Sequence, residues 1–250
     1  MDLLSVLLAC TVSFVISIFS VSIGGTSLIT VPVLISLGLT SKNAVATNMF
    51  ALIFLSASGA QGFRKVGRVA HPGVISLFSV LTVCGSLIGA NLVLAINEDI
   101  LRKVIAVFIC TMVFTLVFKR DLGIVEKKER IPKGAFIGGS FLILVLGIYG
   151  GFFSGGYVTL LSYVLLLIFG LNFLQVAFLT KILNVFSSLV ACVFFYYHGF
   201  IDFSLGIPMA FSMSLGALLG ARIAIRKGNQ WIRNLFVIAA LFLALKLLFI

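Results

Sequence analysis

The fold is indicated most clearly by residues 174–197, LQVAFLTKILNVFSSLVACVFFYY. This segment is long enough to cross a bilayer, whose hydrocarbon layer takes about 20 residues of helix. Its only charged side chain is Lys181, which is also the only Lys, Arg, Asp or Glu between residues 134 and 201. The segment therefore predicts a membrane-spanning helix that carries one charge in its interior.

The composition of the whole chain excludes a soluble globular protein. Hydrophobic residues make up 61% of the 250 residues and charged residues 10%, whereas soluble domains carry about 25% charged residues. The mean hydropathy is +1.26. Because Asp2 precedes the first apolar run and further runs follow it, we expect that run to be a span and not a removable signal peptide. We therefore expect a multi-pass protein of the cell membrane.

Ten apolar segments can be delimited, five on each side of a basic linker. The second segment of each five has only about 14 residues, too few to span comfortably as a helix, and could cross as half of a broken helix or re-enter. The fold class that follows is an all-α transmembrane bundle of 8–10 spans, with a first repeat at 1–118, a linker at 119–133 and a second repeat at 134–250. The segments are 3–23, 26–39, 43–63, 73–96, 101–118, 134–154, 157–171, 174–197, 204–221 and 232–249.

The two halves are related in sequence. Gly24-Gly25 corresponds to Gly155-Gly156, 131 positions later, and the same shift carries GSLIGAN (85–91) onto GALLGAR (216–222). Between these matches the shift drifts by two residues, so that AVATN (44–48) meets AFLTK (177–181) and Asn48 corresponds to Lys181. The shared order of the matches along the chain predicts a duplication.

The charges of the loops predict that the repeats are inverted. Lys and Arg concentrate in the loop 64–68, in the linker and in the loop 222–231, which should therefore be cytoplasmic. The loop around Phe200 has neither residue and should lie outside. The loop after the third segment is then inside in the first repeat and outside in the second, and both termini lie outside. Inverted repeats are typical of secondary transporters, which bind their cargo near the membrane midplane.

Lys181 is the most informative residue of the chain. A helix that begins near Leu174 places it about 10 Å deep, where a lysine is costly and normally faces a cavity or a partner. One alternative is that it snorkels to the interface, and the other is that it awaits an anion. Lys42, near the end of its segment, fits snorkelling. Asn184 and Ser188 fall on the same helix face as Lys181, and Thr180 and Ser187 share its helix.

The glycine pairs are the second candidate feature. They precede the short segment in each half, where a broken helix frees backbone N–H groups that bind anions. Close helix packing is the alternative, and we assign Gly85, Gly89, Gly216 and Gly220 to packing. The predicted substrate-binding residues are Gly24, Gly25, Thr26, Ser27, Thr47, Asn48, Gly155, Gly156, Thr180, Lys181, Asn184 and Ser188.

The sequence offers little to an enzyme. No intramembrane Asp or Glu is available as a base or metal ligand, and no common hydrolase, nucleotide-binding or metalloprotease motif occurs. The four cysteines have no CxxC spacing and fit buried small hydrophobic residues. We expect no catalytic residue, no metal site and no cofactor. The net charge of +11 resides largely in the loops, so we expect no nucleic-acid partner.

Two stretches resemble a known family. IGGTSLITVPVLISLGLTSKNAVATN (23–48) and GIYGGFFSGGYVTLLSYVLLLIFGLNFLQVAFLTKILNVFSS (147–188) are similar to the paired motifs of the TauE/SafE sulfite exporter family, also called the sulfonate uptake permease family. Just before the first motif, the first repeat has Phe19-Ser20 where the second repeat has Gly150-Gly151. The first repeat so departs from the family's longer glycine run. The resemblance implies a permease for small sulfur-containing or organic anions such as sulfite or sulfonates.

The sequence thus predicts a carrier of a small anion in the lipid bilayer. The membrane potential, negative inside, drives an anion outward by about 2.3 kcal/mol per charge per 100 mV, which favours export without a coupling ion. An anion channel, a carrier of non-sulfur carboxylates and a structural membrane protein are the alternatives. The identity of the anion, a coupling ion and homo-oligomerisation stay open.

Overall fold

The computed structural model describes residues 3–67, 72–92, 123–124, 131–152 and 154–249, and these contain helices and no strand. Six of the helices are long and apolar enough to cross a membrane. The predicted all-α transmembrane fold is therefore confirmed. The predicted span at 101–118 and most of the linker 119–133 lie outside the described residues. The helices are α1 (Leu3–Ile23), α2 (Ser27–Ser36), α3 (Ser41–Phe63), α4 (Pro72–Leu92), α5 (Lys133–Phe152), α6 (Tyr157–Leu167), α7 (Phe173–Tyr197) and α8 (Phe203–Phe249).

The last two predicted segments are joined differently from our expectation. In place of the loop 222–231, α8 continues through Arg226 and Lys227 and changes direction at Gly228, whose φ is 77° and ψ is −177°. Arg and Lys are good helix formers, and their side chains here are exposed, so nothing forces the helix to end before the glycine. The expected ten-residue loop was wrong, and a kink at one glycine takes its place.

The two short helices follow the glycine pairs as predicted. Helix α2 has 10 residues and α6 has 11, which corresponds to about 15 Å each, half of the hydrocarbon layer. Gly24, Gly25 and Gly156 have φ between 83° and 85°, a left-handed conformation that side chains other than glycine rarely adopt. Each pair therefore ends the preceding helix and starts a new one inside the bundle.

The small-residue motifs pack helices across the two halves. Helix α1 contacts α8, and α4 contacts α5, the corresponding pair in the duplication. At each glycine of the motifs, a Cβ atom would collide with a backbone carbonyl of the facing helix, so the assignment to packing is confirmed. The facing residues in the two halves are 130 positions apart, which supports the duplication: Gly216 meets Phe14, Gly220 meets Ile18, Gly85 meets Leu144 and Gly89 meets Ile148.

Helices α3 and α7, which correspond in the duplication, run antiparallel. Gly67, just after α3, lies against Phe178 near the start of α7. At the other end, the Lys42 Nζ atom near the start of α3 lies 5.9 Å from the ring centroid of Phe200, which follows α7. Inverted repeats require equivalent helices to run in opposite directions. The pairing supports the predicted inversion, which itself stays a prediction.

Three segments from the predicted cytoplasmic side meet at the start of α7. The Leu174 backbone N–H donates to Asn229 Oδ1 at 3.0 Å, and Asn229 Nδ2 donates to the Ile124 carbonyl of the linker at 2.9 Å. Gly67 lies at the same place. Phe200 lies at the opposite end of the bundle with Lys42. The grouping agrees with the sidedness that the loop charges predict.

Cysteine labelling tests this sidedness. In a variant that lacks the four native cysteines, we expect Lys65→Cys and Lys227→Cys to be protected from an impermeant maleimide added outside the cell, and His198→Cys to react. All three native side chains are exposed, so access to the reagent depends on the side of the membrane. Equal labelling of Lys65→Cys and His198→Cys in intact cells would contradict the inverted arrangement.

Candidate functional site

The two glycine breaks cross each other in the interior of the bundle. A Cβ atom on Gly24 would lie 2.8 Å from Val158 Cβ and 3.0 Å from the Thr159 backbone nitrogen, so the chain passes too close to α6 for any side chain. The Thr159 hydroxyl donates to the Ile23 carbonyl at 3.1 Å. The end of α1 therefore rests on the first turn of α6, and the break of one half is held by the half-helix of the other.

Hydroxyl groups join the two breaks. Ser27 Oγ and Ser154 Oγ are 2.5 Å apart, and both residues are buried. Asn48 supports this contact from α3, because its Nδ2 donates to Ser27 Oγ at 2.8 Å while its Oδ1 accepts from Thr30 Oγ1 at 2.5 Å. Both the Nδ2 and the Oδ1 atom of Asn48 are thus hydrogen-bonded. The amide fixes the first turn of α2 and places the Ser27 hydroxyl against the second half.

Lys181 reaches this crossing from α7. It is 1% exposed, and its one hydrogen bond within the described part of the chain is a long one, 3.5 Å from Nζ to the Ser20 carbonyl. Room for its stem comes from Gly59, where a Cβ atom would lie 3.2 Å from Lys181 Cγ. An ammonium has three donors, so most of its hydrogen-bonding capacity is unused. Such burial argues against snorkelling, which would bring Nζ to the interface.

No carboxylate balances this charge within the described ranges. The single acidic residue there is Asp202, which accepts hydrogen bonds from the Ser204 hydroxyl and the Leu205 backbone at the start of α8. Its backbone N–H donates to the Thr47 hydroxyl. The carboxylate therefore caps a helix and leaves the ammonium unpaired.

A small cavity lies between the ammonium and the breaks. It is narrow, with free space for about one water-sized group. The first turn of α2 contributes to its wall. Its Leu28 and Ile29 N–H groups donate to the Gly25 and Thr26 carbonyls, and the N-terminus of the helix as a whole carries a partial positive charge that favours an anion. The lining residues are Gly24, Gly25, Thr26, Ser27, Leu52, Ser154, Val158, Lys181 and Asn184. The wall combines one cation, hydroxyls and a helix N-terminus, which together suit a small anion.

Asn184 adds an acceptor to this wall. Its Nδ2 donates to Ser56 Oγ at 2.7 Å. Its Oδ1 is buried and has no hydrogen-bond partner in the part of the chain that the structure describes. A buried amide oxygen without a partner costs about 1–3 kcal/mol, so an occupant that donates a hydrogen bond there would be stabilised.

The structure gathers about half of the predicted site residues around the cavity. Gly24, Gly25, Thr26, Ser27, Lys181 and Asn184 line it, and Asn48 lies one hydrogen bond behind. The others are elsewhere. Thr47 binds the Asp202 backbone, Thr180 donates to the Ala177 carbonyl of its own helix, and Ser188 is buried outside the lining.

The second glycine pair shapes the site without lining it. Gly156 is the N-cap of α6, and the Gly155 carbonyl accepts a hydrogen bond from the buried Tyr149 hydroxyl. At the second glycine pair, the residue that lines the cavity is Ser154, just before the pair. The two breaks are thus not equivalent, and the first contributes more of the wall.

Sequence reasoning missed three supporting residues. Ser154 belongs to the second glycine break, but only Gly155 and Gly156 of that break were named as binding residues. Ser56 and Gly59 are single small residues on an apolar helix. For Ser56 there was no signal, because the register that pairs Asn48 with Lys181 sets Ser56 against Leu189. For Gly59 there was none, because only the position of the Lys181 stem shows why it is small.

Comparisons with known proteins indicate a membrane transporter. The family model described as "Sulfite exporter TauE/SafE" matches residues 9–247. A "Probable membrane transporter protein" of Haemophilus influenzae is 29% identical over 99% of this chain and 95% of its own length. The "Probable membrane transporter protein YfcA" of Escherichia coli is 28% identical over 90% of this chain and 83% of its own length. No solved structure matches the chain.

Substitution of Gly24 tests the crossing of the breaks. Gly24→Ala adds both an unfavourable φ of +83° and a collision with Val158 and Thr159, and overpacking of this kind costs about 1–3 kcal/mol. We expect a clear loss of anion flux in proteoliposomes and a lower Tm in detergent. Gly38→Ala is the matched control, because Gly38 has a φ of +99° with no atom within 4 Å of the added Cβ. Equal effects of the two substitutions would contradict a functional contact at Gly24.

Proposed function

We propose, from the premise that this chain belongs to the TauE/SafE sulfite exporter family, that it is a permease that moves a small sulfur-containing or organic anion, of the sulfite or sulfonate type, out of the cell. The chain is a membrane transporter of this family, and its curated relatives carry transporter names. We further propose that the cargo is an anion, that it binds beside Lys181 and that it moves outward. The protein would lie in the cell membrane with both termini outside.

The observation that carries the proposal is the unpaired, buried ammonium of Lys181. A lysine in the middle of an apolar bundle costs several kcal/mol unless something compensates it. Within the described helices the compensation is one long hydrogen bond to the Ser20 carbonyl. The cavity as it stands has room for about one water-sized group, so an anion would enter when the two halves move apart, and there it would supply the missing interaction. An anion is the class of ligand that this charge selects.

The rest of the wall is suited to the oxygen atoms of that anion. The Ser27 and Ser154 hydroxyls line the cavity from the two halves, and the N-terminal turn of α2 adds the partial positive charge of a short helix. Hydrogen bonds to a charged group are stronger than neutral ones, about 1.5–3 kcal/mol each. Leu52 and Val158 close the cavity with apolar surface, which strengthens these interactions by excluding water.

The position of the site explains how binding is linked to transport. The cavity is built from both halves, with α2 and α3 on one side and α6 and α7 on the other. A rocking motion of one half against the other would open it alternately to the two sides of the membrane. The narrow Gly24 crossing and the Ser27–Ser154 contact are the places where such a motion must be accommodated.

Export follows from the electrostatics. An inside-negative potential lowers the energy of an anion that leaves the cell by about 2.3 kcal/mol per charge per 100 mV. Uptake would need a coupled cation or proton. Asp202, the one carboxylate among residues whose structure is described, is held away from the cavity by its helix-capping bonds. The site therefore favours an uncoupled outward carrier.

Lys181→Met tests the proposal. The substitution keeps length and apolarity and removes the charge, so we expect uptake and efflux of sulfite and sulfonates in proteoliposomes to fall to background while membrane insertion is preserved or improved. Lys181→Arg should restore only part of the flux, because the planar guanidinium is larger and directs its donors differently. Saturation and counterflow in the same vesicles distinguish a carrier from a channel.

Lys42→Met is the matched control. Lys42 is exposed and lies over the Phe200 ring at the start of α3. Its replacement therefore removes one positive charge without changing the cavity. We expect near wild-type flux. Full activity of Lys181→Met at verified membrane levels would overturn the site, and flux of carboxylates in place of sulfur oxyanions would overturn the proposed cargo.

A further inference from the structure

Lys181 is the one charged side chain that lines the cavity among the described residues. Of the helices packed on α7, α1, α4 and α6 contain no charged residue, α3 contains Lys42, α5 begins with Lys133 and α8 has its basic residues from Arg222 onward. At the lysine itself, Ser20 of α1 contributes a backbone carbonyl and Gly59 of α3 contributes no side chain. The nearby phenols of Tyr149 and Tyr157 are buried, and phenols are neutral at physiological pH. The other basic side chains whose surroundings are described are at least partly exposed.

The duplication shows that a second charge is absent at the equivalent position. Asn48 occupies the place in the first half that Lys181 occupies in the second. Its amide is bonded to Ser27 and Thr30, so it contributes geometry and no charge. A site with two-fold pseudosymmetry could have held two ammonium groups, and this one holds a single group.

We infer that this site binds and moves its cargo as a monoanion, so that a divalent oxyanion such as sulfite is carried as its singly protonated form. The inference rests on the proposed function and specifies its substrate. One ammonium and one monoanion form a neutral pair, whereas a dianion would leave an uncompensated negative charge in a low-dielectric interior, which costs several kcal/mol. The proton comes from water before binding, when sulfite and a proton combine to hydrogen sulfite.

Asn184 supports the same assignment independently. Asn184 lines the cavity, and its Oδ1 is buried with no hydrogen-bond partner in the described ranges. The sulfite dianion has only acceptors and cannot donate to this oxygen, and methanesulfonate, which also lacks a donor, leaves it unpaired as the empty site does. A hydrogen oxyanion presents negative oxygens to Lys181 and a donor to Asn184, and so satisfies both groups.

The inference has an electrical consequence. The loaded site crosses the membrane as a neutral complex, whereas the empty site crosses with one positive charge. Exchange of one anion for another uses only the loaded form, so the moving site transfers no charge. An imposed membrane potential should therefore leave exchange unchanged and affect only net efflux, in which the empty site must return.

Counterflow of radiolabelled sulfite in proteoliposomes of the full-length protein tests the inference. At subsaturating total sulfite, we expect counterflow to fall about tenfold for each pH unit above the second ionisation of sulfite, because the singly protonated form declines in that proportion. Methanesulfonate is a monoanion throughout, so the pH dependence of its inhibition reports any change in Lys181 itself, and we expect sulfite counterflow to fall more steeply than this inhibition by that factor. Sulfate, a dianion throughout, should inhibit at least about tenfold less. Lys42→Gln should show the wild-type profile.

Three results would overturn the inference while leaving an anion carrier in place. These are inhibition by sulfate as strong as that by methanesulfonate, sulfite counterflow that rises with pH, and a decline of sulfite counterflow with pH no steeper than the decline of methanesulfonate inhibition, which would place the titrating group in the protein. Absence of counterflow for every anion at every pH would instead overturn the proposed function.

Discussion

The ammonium of Lys181, buried in an apolar bundle with one long hydrogen bond, is the constraint on which the site depends. Its stem fits because residue 59 is a glycine. Its head lies beside the Ser20 carbonyl, which also accepts the Gly24 N–H at 2.7 Å in the last turn before the break, and beside a polar cavity. In lipid, backbone groups near a break must be satisfied within the protein, and the polar surroundings of the break are also what makes a buried ammonium tolerable.

The packing of the halves follows from the same requirement. Two chains can cross at their breaks only if one of them has no side chain at the contact, as at Gly24. The long helices must then approach closely on both flanks, and the glycines of the two small-residue motifs allow this by bringing backbone against backbone. The duplication gives the same solution twice, with α1 on α8 and α4 on α5. Charge is the feature that the duplication does not repeat, because Asn48 stands opposite Lys181.

Much of the fold could be predicted from the sequence, because lipid imposes simple rules on length and charge. The spans, the short helices after the glycine pairs and the packing glycines all followed from such rules. The continuation of α8 to Gly228 could not be predicted from such rules, since basic residues mark both loops and helix ends.

Within the site, Lys181 was identifiable by its depth. Thr47, Thr180 and Ser188 do not line this cavity, and the sequence does not reveal it, because these helices are apolar on all sides and periodicity does not tell which face meets the cavity.

The central claim is that an anion binds between Lys181 and the crossed breaks. The most direct measurement is anomalous diffraction from crystals of the full-length protein grown in lipid with selenite, a heavier analogue of sulfite. The account predicts one selenium peak in the cavity, within hydrogen-bond reach of Lys181 Nζ and the Ser154 hydroxyl, and its loss in Lys181→Met. A selenium peak elsewhere in a protein that transports selenite, or a cavity peak that persists in Lys181→Met, would contradict it.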